Sequence, residues 1–139
     1  MEDKNTLVIM RGLPGAGKST YAAENFNSLV ISADDWFMTE DGEYDFRPWE
    51  IGRAHEDCKL RLLKAMQKGL YTIVLDNTHT QWWEAEFPIA MAEAFGYKVK
   101  IIDLFDGGCT DEELAARTSH GVPLDKITAM RGRWELFDA

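Results

Sequence analysis

A glycine-rich loop between an apolar run and a helical segment constrains this chain more than any other feature. Residues 12–20 are GLPGAGKST, which fits the pattern G-x-x-x-x-G-K-[ST] with Gly12, Gly17, Lys18 and Ser19 at the fixed positions. Glycines let the backbone curl until successive N–H groups surround a phosphate, the lysine reaches the β- and γ-phosphates, and the hydroxyl binds Mg²⁺. The following helix adds its positive end. Because strand, loop and helix come in the right order, we predict a nucleoside triphosphate site rather than an ordinary glycine-rich turn.

Composition limits the class of protein. The chain has 139 residues, of which 45% are hydrophobic, so we expect one globular domain over residues 1–139. No apolar run approaches the ~20 residues that span a bilayer, and we expect no membrane partner. Cys58 and Cys109 match no metal or disulfide spacing, which favours a reduced, cytoplasmic protein. The net charge of −9 argues against broad, sequence-blind binding to nucleic-acid backbones but permits a small basic groove.

Alternating apolar segments and amphipathic segments predict an α/β fold. The spacing predicts strands over residues 6–11, 29–32, 71–75 and 97–105, and helices over 18–26, 49–68, 81–95, from about 110 to 117, and over 124–137. Residues 110–113 (Thr-Asp-Glu-Glu) form a capping box that starts the fourth helix. We expect Pro88 to kink or split the third helix, whose apolar face would carry Trp83, Phe87, Ala90, Met91 and Ala94.

Two aspartates follow the second predicted strand directly. Residues past the carboxyl ends of parallel strands face the ligand crevice, so Asp34 and Asp35 are expected near the γ-phosphate. One of them is a candidate general base that takes a proton from a substrate hydroxyl. The alternative is a turn pair or a helix N-cap, which aspartate favours.

Another carboxylate ends the third predicted strand. Asp76 is typical of the Walker B aspartate that holds Mg²⁺ directly or through water, although a turn aspartate is the alternative. Asn77 follows it, where motor ATPases carry a glutamate that orients water, and no Asn-Lys-x-Asp guanine motif occurs. These two observations argue against a hydrolytic switch or motor.

Two further stretches are candidates for contacts with ligands. Arg117 lies in a short helix–loop–helix over about residues 108–125, which we expect to form a lid whose arginine stabilises the transferring phosphoryl group. A surface ion pair with Glu112 or Glu113 is the alternative.

Five aromatic residues lie in or beside residues 36–47. They form either a stacking surface for a base or sugar or a set of anchors that hold a loop against the core. They are Trp36, Phe37, Tyr44, Phe46 and Trp49. His55 on the second helix is expected to be a packed, satisfied histidine.

Together these motifs resemble the small P-loop kinases related to phage-type polynucleotide 5′-hydroxyl kinase, among zeta-toxin-like and AAA-type ATP-binding relatives. The resemblance covers about residues 6–137. Its carriers are RGLPGAGKST at 11–20, SADD at 32–35, DNT at 76–78, ELAAR at 113–117 with HGV at 120–122, and Met130 with RWE at 133–135.

The resemblance implies a P-loop NTPase fold with a parallel sheet of about five strands flanked by helices, a short lid, and ATP with Mg²⁺ as cofactors. It places the general base on Asp34 and catalytic roles on Lys18 and Arg117, with Ser19 and Asp76 as metal ligands. ATP would be bound by Gly12, Pro14, Gly15, Ala16, Gly17, Lys18, Ser19, Thr20, Arg117 and Arg133. One departure is clear: residues 36–38 are Trp-Phe-Met, where phage-type kinases carry an arginine that grips a phosphate beside the acceptor.

Three functions follow from the sequence. The first is a kinase acting on a hydroxyl of a polynucleotide, which the resemblance and the aromatic stretch favour. The second is a kinase for a nucleoside or a sugar, which suits the acidic composition and the missing arginine. The third is a nucleotide-binding ATPase module with no kinase acceptor. A toxin-like kinase of cell-wall sugar nucleotides is a further possibility, for or against which the sequence holds no feature.

Overall fold

The computed structural model describes residues 5–136, which form a parallel sheet with helices on both faces. The strands are β1 (Thr6–Gly12), β2 (Leu29–Ile31), β3 (Thr72–Asp76) and β4 (Lys98–Phe105). The helices are α1 (Lys18–Asn25), α2 (Ile51–Gln67), α3 (Trp82–Ala94), α4 (Asp111–Arg117) and α5 (Leu124–Gly132), with 3₁₀ helices at Ala33–Phe37 and Pro48–Glu50. None of the helices in this range is long and apolar enough to cross a bilayer.

The sheet places the glycine-rich loop at its centre. Its order is β2-β3-β1-β4, and every pair is parallel. The α/β prediction is confirmed, but the expected count of about five strands is wrong for residues 5–136, where the sheet has four. The reason lies after β4, where the described chain forms α4 and α5 instead of another strand. The register pairs Met10 with Asp76, so the ends of β1 and β3 lie side by side.

Alternating side chains of β1 pack on both faces of the sheet, as the period of two in a strand requires. Leu7 and Ile9 belong to the core beneath α2 and α3, whereas Val8 and Met10 pack with Ala22 of α1. All four side chains of β1 are almost fully buried, and burying each large apolar side chain stabilises the fold by about 1.5–3 kcal/mol. The loop after β1 therefore begins from a rigid base.

The strand β2 differs from the fully buried strand that its sequence predicts. It has three residues at the edge of the sheet, and Leu29 and Val30 are 45% and 37% exposed. Only Ile31 is buried. An apolar run of this length fits an edge strand as well as a central one, because periodicity does not separate the two.

Two helices also differ from their predictions. α3 runs through Pro88 without splitting, and its buried residues are Ala85, Pro88, Met91 and Ala92. The predicted face was therefore wrong except at Met91, since Trp83 and Phe87 are 65% and 45% exposed. α5 ends at Gly132, before the predicted end at residue 137, which lies outside the described residues.

Candidate active site

The glycine-rich loop is anchored to both neighbours of β1. The Gly12 N–H donates to the Thr78 carbonyl at 3.2 Å, and the Leu13 N–H donates to the Phe105 carbonyl at 2.8 Å. Gly15 and Gly17 have φ angles of 83° and 102°, in the left-handed region that glycine tolerates. Within residues 5–136 the amides of these two glycines have no backbone acceptor, and α1 begins without a side-chain cap. Free N–H groups at a loop and a helix start form a ready anion site.

Lys18 lies folded against this loop. Its Nζ donates to the carbonyls of Gly12 at 2.9 Å and Leu13 at 3.4 Å. Burial lowers the pKa of Lys18, and the negative charges of Asp76 and Asp34 oppose that shift. A bound phosphate would add a further negative charge beside Nζ and favour the ammonium form. The lysine is therefore placed where a phosphate ligand would be needed.

Two oxygen groups that could hold a divalent cation meet at the end of β3 and the start of α1. The Ser19 hydroxyl donates to Asp76 Oδ2 at 3.0 Å, and Asp76 is 8% exposed. Burial raises the pKa of Asp76, partly offset by Lys18 and by the Ser19 hydrogen bond. Hydroxyl and carboxylate oxygens suit Mg²⁺, which completes its shell with waters and substrate phosphates. The donor set thus fits the metal that the fold implies.

The two aspartates after β2 have different environments. Asp35 belongs to a capping box: its Oδ2 accepts from the Ser32 N–H at 3.1 Å and from Arg61 Nη1 at 2.8 Å. Asp35 is therefore not the N-cap itself but the third residue of a capping box whose N-cap is Ser32. Asp34 takes no part in the box through its side chain, and its Oδ1 accepts from the Tyr44 hydroxyl at 3.1 Å. Asp34 is exposed and acts electrostatically on both Lys18 and Asp76.

Asn77 joins the strand that ends at Asp76 to the 3₁₀ helix that carries Asp34, a contact that the sequence does not reveal. Its Oδ1 accepts from the Ala33 N–H at 3.0 Å, and its Nδ2 donates to Cys58 Sγ at 3.7 Å. The end of β3 is thereby tied to the 3₁₀ helix that carries Asp34. In the sequence, the only indication of this contact is that a polar residue, Asn77, directly follows Asp76.

The lid begins from a fixed base on the glycine-rich loop. Thr110 and Glu113 form the predicted capping box at the start of α4, and Leu114 is buried with Leu13 and Ile127. A Cβ at Gly15 would lie 2.5 Å from the Leu114 carbonyl oxygen, which shows how closely α4 approaches the loop.

Arg131 fixes the base of the lid, a role that the sequence also does not reveal. It pairs with Asp106 at 2.8 Å and Asp111 at 2.7 Å and donates to the Cys109 carbonyl at 2.9 Å. These contacts join the start of α4 to α5.

The two predicted ATP-binding arginines form hydrogen bonds with residues outside the glycine-rich loop. Arg117 is exposed at the end of α4, and its Nη1 lies 2.8 Å from Cys109 Sγ. Within residues 5–136 it forms no ion pair with Glu112 or Glu113, and none with Asp34. Arg133 donates from Nε to Thr80 Oγ1 at 3.3 Å, on the connection between β3 and α3.

A buried arginine ties the end of β1 to three other segments. Arg11 is fully buried, and it donates to the carbonyls of His79, Thr80 and Glu135 and pairs with Asp103 at 2.9 Å. Its guanidinium also lies 4.0 Å from the centre of the Trp134 ring. In the sequence, the indication of these buried contacts is a charged residue, Arg11, at the end of an apolar strand.

The aromatic stretch contains residues suited to each of the two roles that its sequence suggests. Phe37 is buried, and the rings of Tyr44 and Phe46 pack on it with centroid distances of 6.0 and 5.0 Å. Trp49 is 77% exposed, so it is available for stacking. His55 is exposed, and the expectation of a packed histidine was wrong because its side of α2 faces solvent.

Comparison with known proteins identifies the family. A model described as an AAA domain matches residues 7–136. NEDD4-binding protein 2 from Homo sapiens is 37% identical over 140 residues, a match that covers 94% of this chain but 8% of that protein. The chain therefore spans a small part of the length of this relative.

Solved structures share the fold at low identity. A chain of the Pnkp1/Rnl/Hen1 RNA repair complex superposes with a TM-score of 0.73 at 17% identity, covering 96% of this chain and 45% of that chain. A gluconokinase from Sinorhizobium meliloti 1021 gives a TM-score of 0.53 at 17% identity, covering 96% of this chain and 77% of that one. Taken with the geometry of the glycine-rich loop, these matches show that the chain belongs to the AAA domain family and has a P-loop kinase-like fold.

Proposed function

We propose that residues 1–139 form a single kinase domain, with a lid over about residues 108–125, that transfers the γ-phosphate of ATP to a hydroxyl group of a polynucleotide. The observation that carries this proposal is the different environment of the two aspartates. Asp35 is held by the capping box and paired with Arg61, whereas Asp34 accepts one hydrogen bond, from the Tyr44 hydroxyl at Oδ1, and its charge acts on Lys18 and Asp76. An exposed carboxylate near the nucleotide site is what a general base for a hydroxyl acceptor requires.

The chemistry assigns a role to each residue. Asp34 takes the proton of the acceptor hydroxyl as that oxygen bonds to the γ-phosphorus, and the bond from the γ-phosphorus to the bridging oxygen of ADP breaks. Lys18 and the loop amides hold the phosphates, and Ser19 and Asp76 would hold Mg²⁺, which neutralises phosphate charge when bound. Arg117 would reach the transferring group from the lid, and Arg133 would contribute to ATP binding.

A polynucleotide acceptor is supported by the aromatic stretch that follows Asp34 in the chain. Tyr44 contacts the carboxylate directly, and exposed Trp49 follows in the same stretch. Aromatic side chains stack on bases regardless of sequence. The structural neighbour from an RNA repair complex is consistent with this acceptor class.

A small-molecule acceptor is the second candidate. The net charge of −9 and the Trp-Phe-Met sequence at residues 36–38 leave fewer cations near Asp34 than a nucleic-acid end would favour. A gluconokinase shares the fold. A single nucleoside or sugar would need only one aromatic contact.

The test is transfer of labelled γ-phosphate from ATP, with Mg²⁺, to a 5′-hydroxyl oligonucleotide, a nucleoside mixture and water in parallel. We expect label on the oligonucleotide, lost in Asp34→Asn and kept in the control Asp41→Asn, which changes an exposed aspartate of the same stretch. Label on nucleosides alone would support the second candidate. Free phosphate alone, unaffected by Asp34→Asn, would support an ATPase module and contradict the kinase proposal.

A further inference from the structure

Side chains from three segments meet at the Asp34 carboxylate. Tyr44 comes from the hairpin that follows the 3₁₀ helix, where Met38 and Tyr44 form an antiparallel bridge. His120 comes from the lid. Its ring stacks on Tyr44 with centroids 3.9 Å apart and planes 23° apart, and its Nε2 lies 3.8 Å from Asp34 Oδ2. The lid therefore touches the residue that we propose as the base.

Tyr44 is held firmly in place. Its ring packs edge-on against buried Phe37 and lies nearly parallel to Phe46, with an interplanar angle of 8°. Burial and the neighbouring charge of Asp34 raise the pKa of Tyr44, so the phenol stays protonated and remains a donor. Asp34 Oδ1 is thus occupied by the Tyr44 hydroxyl, and Oδ2 is the oxygen left to accept another proton.

His120 is held more loosely than Tyr44. A separation of 3.8 Å between Nε2 and Oδ2 is too long for a hydrogen bond. Its Nδ1 is buried and, within residues 5–136, has no hydrogen-bond partner, which costs stability. The stack on Tyr44 and the nearby carboxylate are its main attachments, and such a contact can open without breaking a hydrogen bond.

A second contact joins the same hairpin region to α5, which follows the lid. Lys126, just beyond the lid on α5, has its Nζ 5.0 Å from the centre of the Phe46 ring. A cation over an exposed aromatic face contributes about 0.5–1 kcal/mol. Within residues 5–136, the hairpin region therefore meets the lid and α5 through aromatic faces, with no hydrogen bond between them.

We propose that Tyr44 and His120 form a latch that couples closure of the lid to the orientation of Asp34. Tyr44 is a positioning residue that fixes Oδ1, so Oδ2 faces the acceptor hydroxyl. When the lid closes, the His120 ring stacks on Tyr44. When the lid opens to admit the acceptor or to release the product, the two rings separate. The inference rests on the proposed role of Asp34 as the base.

Two readouts test the orientation of Asp34 and the closure of the lid separately. Tyr44→Phe keeps the ring and removes the hydroxyl, so we expect kcat to fall on the order of tenfold with KM for ATP unchanged. His120→Ala and Tyr44→Ala remove the stack, so amide hydrogen exchange over residues 108–125 should become several-fold faster in both, but not in Tyr44→Phe. Tyr71→Phe and His55→Ala, at exposed positions, are the matched controls.

The outcomes distinguish this inference from the proposed function. Wild-type kcat in Tyr44→Phe, with transfer lost in Asp34→Asn, would overturn the orientation role while the kinase proposal stands. Unchanged lid exchange in His120→Ala would overturn the latch, and it needs no acceptor to be measured. If wild-type protein transfers phosphate to no acceptor, the kinase proposal fails and the exchange rates still decide the latch. Should Tyr44→Ala not fold, His120→Ala carries the exchange measurement alone.

Discussion

The phosphate side and the acceptor side of this site are built in different ways. The phosphate side is formed by the sheet: the loop is hydrogen-bonded to the residues that follow β3 and to the end of β4, and Ser19 contacts buried Asp76. The acceptor side is formed by a hairpin and a lid that meet through stacked rings. There the side chains of Asp34 and His120 are 51% and 30% exposed. The first side is anchored to the strand ends by backbone hydrogen bonds, and the second is held by stacked rings.

This difference indicates how one fold serves different acceptors. A nucleotide that is always the same can be bound by main-chain groups of the strand ends. An acceptor that varies between kinases requires a surface that changes without disturbing the sheet. The RNA repair chain and the gluconokinase share this fold. Mutations on the two sides should therefore have separable effects on ATP binding and on transfer.

The largest effect is expected from Lys18→Ala. Without the ammonium group, ATP binding should weaken and the rate of transfer should fall roughly 10²–10³-fold. The melting temperature should not drop, because burial lowers the pKa of Lys18 and so opposes its charged form. Calorimetric titration with ATP and a thermal melt would measure both, with exposed Lys68→Ala as the control. Full activity in Lys18→Ala would contradict the assignment of the loop.

Arg117→Ala tests whether the lid contributes to the transition state. We expect the rate to fall on the order of 10²-fold with a smaller loss of ATP affinity, because the arginine would act on charge that develops during transfer. Arg117→Lys should recover part of the rate, since it keeps the charge without the planar fork. Single-turnover kinetics and ATP-binding measurements would separate the two effects. If only the ATP affinity falls, Arg117 binds ATP in the ground state and does not act on the transition state.

Gly15→Ala probes the contact between the loop and the lid. A Cβ there would lie 2.5 Å from the Leu114 carbonyl oxygen, at a φ of 83°, so the variant should lose roughly 1–3 kcal/mol of stability and some ATP affinity. Gly42→Ala is the matched control, because its φ is 82° but nothing lies within 4 Å of the new Cβ. Equal losses in chemical denaturation would show that only backbone strain matters and that α4 can move away.

Trp49→Ala should give the smallest effect and the sharpest distinction between acceptors. If Trp49 stacks on a base, KM for an oligonucleotide should rise about fivefold, near the lower end of measured stacking effects, while ATP affinity stays the same. Trp83→Ala removes another exposed tryptophan on α3 and should change neither. An unchanged KM would remove Trp49 from the acceptor surface.

The sequence predicts the phosphate side well because its signals are local. The glycine-rich loop, Asp76 at the end of β3 and the capping box at Thr110 depend on spacing within a few residues, and the structure places each in its predicted element. Helix α3 lies where it was predicted, but its buried face was mispredicted because apolar residues surround the helix, so periodicity does not select one face. The edge position of β2 depends on which strand pairs with it, which no local pattern contains.

The acceptor side could not be predicted because its contacts join distant residues. Asp34 and Asp35 are equivalent in sequence, and only the bond from Arg61 and the Ser32 cap separates them. The stack of His120 on Tyr44 joins residues 76 positions apart, in two segments with no shared periodicity. The buried contacts of Arg11 likewise depend on where the chain returns at Glu135.

The most direct test of the central claim compares ATP affinity and single-turnover transfer in Asp34→Asn. The account predicts unchanged ATP affinity and a rate reduced on the order of 10²–10⁴-fold, the effect expected from losing a general base. Asp35→Asn should instead lose stability, since it weakens the capping box and the pair with Arg61. An unchanged rate in Asp34→Asn, or a rate loss found in Asp35→Asn alone, would contradict the assignment of the base and the separation of the two sides.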